Sequence, residues 1–149
     1  MRVRRGGRDH GTISIFVALS VSSVLLFTGI VLDCGGRLNA LERVDALAEE
    51  AARVAGQQID RTAMLENRGL LIDTKAGYQA ANVYLQPYGL TAEPPDPANP
   101  PPADAASITV VVTTDYRTTM LGLFDTPTLP VRGIGTATPV AGNQKAGGA

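Results

Sequence analysis

The chain has 149 residues, 44% of them hydrophobic and 18% charged, with a formal net charge of -1. That length suits one domain, and the charge is unevenly shared: the first eleven residues hold four arginines against one aspartate, whereas the stretch after residue 32 holds nine basic and thirteen acidic residues. An acidic C-terminal portion excludes nucleic-acid binding there, because phosphate recognition needs clustered positive charge.

Residues 12–32 form an uncharged run of 21 residues. As a helix it would be roughly 32 Å long, the thickness of a bilayer's hydrocarbon core. It is therefore predicted to be a single transmembrane helix in contact with the lipid bilayer. The basic segment 1–11 stays on the cytoplasmic side of the cell membrane, and residues from 33 onward are extracytoplasmic. The run exceeds the roughly 7–15 residues of a signal-peptide h-region and leads into Asp33 and Cys34 without a small-x-small cleavage site. An uncleaved anchor is the reading it supports, with ordinary cleavage and secretion as the alternative. Within the run, Ser14, Ala18 and Ser22 recur every four residues and line a stripe on which a neighbouring helix can pack closely, so self-association is a secondary expectation.

Cys34 is the only cysteine. Asp33 before it lacks the small side chain that a lipoprotein signal needs there, which leaves an inert thiol or an intermolecular disulfide.

From residue 33 to 60 an amphipathic stalk helix is expected to continue the membrane helix, bent at Gly35 and Gly36. Leu38, Leu41, Val44, Leu47, Ala48, Ala51, Val54, Ala55 and Ile59 recur at steps of three and four. Glu49 and Arg53 form a favourable i,i+4 pair. The following module, 61–140, begins with a connector over residues 61–73 that carries a turn signal at Asn67-Arg68-Gly69. Asp73 or Thr74 caps a short helix over residues 75–86, ended by Pro87 and Gly89. Six of the nine residues from 94 to 102 are proline, which excludes a helix or a central strand and predicts an extended loop. Residues 107–117 are rich in β-branched side chains and predict a strand, residues 129–140 a second one weakened by Gly133 and Gly135, and residues 90–93 a third. Residues 120–124 are an apolar patch, either one helical turn or a buried loop. The tail 141–149 is expected to be disordered. The fold class is α+β: an N-terminal transmembrane helix, its amphipathic continuation, a short helix and a small antiparallel sheet.

No catalytic constellation is evident. His10, the one histidine, falls on the cytoplasmic side, so no Ser-His-Asp or Cys-His set can form in the exported part. No metal-ligand cluster and no phosphate-binding loop occurs, and Asp115 and Asp125 read as ordinary strand-end and turn aspartates. A non-catalytic protein without metal or cofactor is expected.

The order Arg8-Asp9-His10-Gly11, an apolar run, Val31-Leu32-Asp33-Cys34-Gly35-Gly36-Arg37, and then the alanine-rich segment 44–53 resembles the TadE/TadG-like proteins of the tight-adherence, or Flp, pilus assembly system. The resemblance implies a minor pilin-like or pseudopilin subunit with a pilin-like fold, other pilus or secretion assembly subunits as partners, and an extracytoplasmic C-terminal part. It also implies prepilin-type processing between Gly11 and Thr12. Many pilins carry a glutamate five residues after that cut, paired with a neighbouring terminal amine, and Phe16 stands there instead. A buried ammonium without its counter-charge is costly, so the expected role is anchoring and assembly rather than polymerisation. A membrane-tethered extracytoplasmic binding or sensory module is the alternative.

Overall fold

The computed structural model describes residues 9–139, with side chains from Ile13 onward. The expected basic segment up to residue 8 and the tail 141–149 lie outside the described residues.

One helix, α1 (Asp9–Gly56), dominates the chain. Its 48 residues make it roughly 72 Å long. It contains no proline and stays helical through Gly35 and Gly36. Near the N-terminus it is long and apolar enough to cross a membrane. The large apolar side chains there are uncovered: Ile13, Phe16, Leu19 and Phe27 are 62–69% exposed. Among the described residues nothing shields those side chains, so only an apolar surrounding satisfies them.

The other described elements fold mainly against the distal half of α1. A short helix, α2 (Arg61–Leu65), begins at Asp60, whose carboxylate accepts from the N–H groups of Thr62 (2.8 Å) and Ala63 (3.1 Å). It lies within the segment expected to be a connector. Asn67 and Gly69 adopt positive φ at the expected turn. Strand β1 (Ile72–Asp73) leads into α3 (Thr74–Leu85) and pairs antiparallel with β2 (Asp104–Ala105). Asp73 caps α3 by accepting from the Ala76 N–H at 3.0 Å, while the Thr74 hydroxyl donates to the Pro102 carbonyl at 2.8 Å. A 3₁₀ turn, Gln86–Tyr88, and Gly89 at φ 68° end this helix, as Pro87 and Gly89 predict.

Strands β3 (Ile108–Arg117) and β4 (Thr128–Ala137) form an antiparallel ladder running from the pair Ile108 and Ala137 to the pair Arg117 and Thr128. Gly133 and Gly135 neither interrupt nor shorten it. The strand expected at residues 90–93 is reduced to one bridge, in which Glu93 and Val111 exchange N–H and C=O bonds of 2.9 and 2.8 Å. The proline segment is an exposed loop. In it the Asn99 side-chain amide and the Ala98 N–H hold the Asp96 carboxyl below its ordinary range.

The core lies between α1, α3 and the inner face of the β3–β4 ladder. Ala48, Ala51, Ala52 and Ala55 of α1 meet Ala81 and Leu85 of α3 and Ile108, Val110, Val112 and Val131 of the sheet. Residues 33–56, expected as a stalk, are thus the helical layer of the head itself. Alanine dominates that layer because it lets a sheet and a second helix approach at close range. The pair expected between Glu49 and Arg53 is made instead by Glu50, one turn before Arg53, at 2.5 Å on the exposed side. Glu49 is exposed, and an exposed pair of this kind contributes little.

Tyr78 ties α3 to the sheet. Its hydroxyl donates to the Thr109 carbonyl at 2.8 Å, and burial pushes its ionisation above the ordinary range. Tyr78→Phe leaves that carbonyl without its donor and is expected to cost about 1 kcal/mol. A lower midpoint in urea unfolding of the full chain in detergent, followed by far-ultraviolet circular dichroism, would register the loss.

Candidate functional site

Where the apolar end of α1 meets the head, the chain between β3 and β4 folds down onto the helix. Thr118, Thr119 and Met120 lead into a 3₁₀ turn, Leu121–Phe124, which Asp125 closes at φ 62°. The segment is held in shape from within. The Thr118 N–H donates to the Pro127 carbonyl (3.0 Å), the Thr118 hydroxyl to the Thr126 carbonyl (2.6 Å), and the Thr126 N–H to the Leu121 carbonyl (3.1 Å).

The start of any helical turn leaves backbone N–H groups without partners. Here an aspartate from far away in sequence supplies them. Asp33 is 1% exposed on α1, and its carboxylate accepts from the N–H groups of Thr119 (2.7 Å), Met120 (2.9 Å) and Leu121 (2.7 Å). A buried carboxylate is tolerable only when its oxygens are satisfied, and three converging donors satisfy these. Asp33 therefore acts as an N-cap delivered across the fold, and it pins the turn to the helix.

Two glycines of α1 make room for this contact. A Cβ on Gly29 would stand 2.5 Å from Met120 Cγ, and one on Gly36 would overlap the Tyr116 hydroxyl. Each glycine costs a helix about 1 kcal/mol relative to alanine, and here close approach of the head is what the missing side chain allows. Ser22, Gly29, Asp33 and Gly36 follow one another at steps of seven, four and three residues, so they share one face of α1.

Below the clamp, α1 and the turn enclose an open groove of about 570 Å³. Leu25, Leu26 and Ile30 form one wall, and Met120, Leu123 and Phe124 the other. Leu123 and Phe124 are 77% and 63% exposed, an unusual state for two large apolar side chains side by side.

The structure separates the sequence-predicted site residues. Gly11 and Thr12 fall in the first turn of α1, where side chains lie outside the described residues. Ser14 and Ala18 are exposed on the proximal part of the helix, whereas Ser22 reaches the edge of the groove. Cys34 is exposed beside Arg37, Leu38 and Leu41 and contacts no second thiol. Asp115 sits on β3 opposite Pro130, Asp125 ends the apolar turn, and both are exposed. Among the described residues no three His, Cys, Asp or Glu side chains converge in a way that could hold a metal. Sequence reasoning passed over Asp33 as a structural element. A charge placed directly at the end of an apolar run was the available signal.

Comparison with protein-family models, curated proteins and solved structures returns no match.

Proposed function

We propose that this protein is a membrane-anchored, non-catalytic subunit of a pilus or secretion assembly of the tight-adherence type, a TadE/TadG-like pseudopilin. Its strongest support is α1, in which an uncovered apolar segment and the core layer of the head are one uninterrupted helix. A head that shares a helix with its anchor is held at a set height and orientation above the bilayer. That suits a part which must meet neighbouring subunits, and a ligand-binding head on a tether would have no need of it. Residues 12–32 cross the membrane in this reading, with the N-terminus in the cytoplasm and the head outside.

A reporter active only after export, fused after Gln86, is expected to give an exported, active fusion; activity confined to a cytoplasmic reporter at the same position would overturn the orientation. In a cell that carries the machinery, deletion of the protein is expected to abolish surface fibres or secretion, and intact fibres and secretion would reject the assembly role. Processing between Gly11 and Thr12 belongs to the same proposal. N-terminal sequencing of the mature protein would find Thr12 first if the bond is cut and Met1 if the chain is a plain anchor.

A further inference from the structure

We infer that the turn Leu121–Phe124 is a second membrane contact, a wedge of the head that enters the outer leaflet beside α1, with lipid acyl chains filling the groove between them. The inference rests on the reading that residues 12–32 cross the bilayer. Its own support is the level at which the turn sits. Met120 packs on Gly29, and the groove extends to Ser22, both of which belong to the apolar run rather than to the part of α1 that follows it. If the run ends at the membrane boundary, a rise of 1.5 Å per residue puts these two contacts roughly 5 and 15 Å beneath it. The head therefore cannot stand clear of the bilayer without pulling the helix out or breaking the Asp33 clamp.

The composition of the segment agrees with that level. Between Arg117 and Arg132 the only charge is Asp125. There the chain reverses, and Thr126 is already back beside Leu121. The backbone polar groups at the start of the turn are also occupied, since the Thr119, Met120 and Leu121 N–H groups donate to Asp33. Non-helical backbone enters hydrocarbon only when its polar groups are satisfied within the protein, and the three N–H groups at the start of this turn meet that condition. Leu123 and Phe124 then project from the turn as the large apolar side chains by which interfacial segments hold to a membrane. The wall opposite them is a face of the membrane helix that lipid already borders, so acyl chains are continuous across the groove.

The test uses the full chain with Cys34→Ser, reconstituted in vesicles of phosphatidylcholine and phosphatidylglycerol, and single cysteines labelled with an environment-sensitive fluorophore. Leu123→Cys and Phe124→Cys report the turn, Leu19→Cys the membrane helix, and Thr113→Cys the head in water. The expected result is blue-shifted emission at both turn positions, quenched by spin-labelled acyl chains and protected from aqueous iodide, as at Leu19→Cys. Turn positions quenched by iodide like Thr113→Cys, with Leu19→Cys still quenched by lipid, would overturn the wedge and leave the anchor standing. Turn positions shielded from both quenchers and cross-linking to a second copy would overturn it in favour of a protein interface. If Leu19→Cys were itself open to iodide, the anchor reading would fail and the wedge with it.

Discussion

Gly135→Val is expected to destabilise the head more than any other single substitution in the sheet. Gly133 and Gly135 lie on the face of β4 turned toward α1, at the point where strand and helix touch backbone to backbone. A Cβ on Gly133 would lie 2.6 Å from the carbonyl carbon and oxygen of Val44 and 2.7 Å from the Asp45 nitrogen, and one on Gly135 would overlap the carbonyl of Ala48. Those atoms belong to a helical backbone, so no change of rotamer relieves the contact and the two layers must move apart. Separation would open the alanine face of α1 and stretch the bond from the Ile134 N–H to the Asp45 carboxylate, 3.2 Å long. Overpacking of this kind costs about 1–3 kcal/mol for an added methyl group and more for a branched side chain. The expected order of unfolding midpoints is wild type, then Gly133→Ala and Gly135→Ala, then Gly135→Val. Ile134→Val, on the exposed face of the same strand, should stay within about 0.5 kcal/mol of wild type. Urea or thermal unfolding of the full chain in detergent gives the comparison, and tolerance of valine at 135 would disprove the close approach.

The second large effect is expected at Asp33. Replacing it with alanine leaves three part-buried backbone N–H groups of the apolar turn without an acceptor. The turn should come away from α1, with amide exchange at Thr119, Met120 and Leu121 on the order of tenfold faster and the melting temperature lower by several degrees. Asp33→Asn is not a benign isostere. One carbonyl oxygen would replace two carboxylate oxygens, and the new NH₂ group would face donors that already point at it. The expected order of exchange protection is therefore wild type, then asparagine, then alanine. If all three chains exchange alike at residues 119–121, the clamp contributes nothing to holding the turn.

These two sites mark the boundary of what could be read in the chain directly. Residues 12–32 declare a helix that can cross a membrane through uninterrupted apolarity over a bilayer's thickness, a property of composition and length. Residues 107–117 declare a strand through β-branched density. Asp73 and Pro87 with Gly89 bracket α3 by local capping and turn chemistry, and six prolines exclude regular structure from 94 to 102. Each of these is decided by atoms close together in the sequence.

The glycines of β4 were legible only as weak points, because their value comes from a helix some 90 residues earlier in the chain. The alanines of α1 suggested an indifferent stalk until α3 and the sheet closed over them. Asp33 stands out in the sequence only as a charge at the end of an apolar run, because its three donors lie more than 80 residues away. The chain by itself determined where a helix able to cross a membrane lies, where α3 and the two long strands run, and that the class is α+β. Only the tertiary structure decided that the same helix is also the wall of the head, that an apolar turn lies along it, and that one carboxylate holds the two together. Local propensity is written in neighbouring residues, whereas close approach and the pairing of buried polar groups exist only once distant segments share the same space.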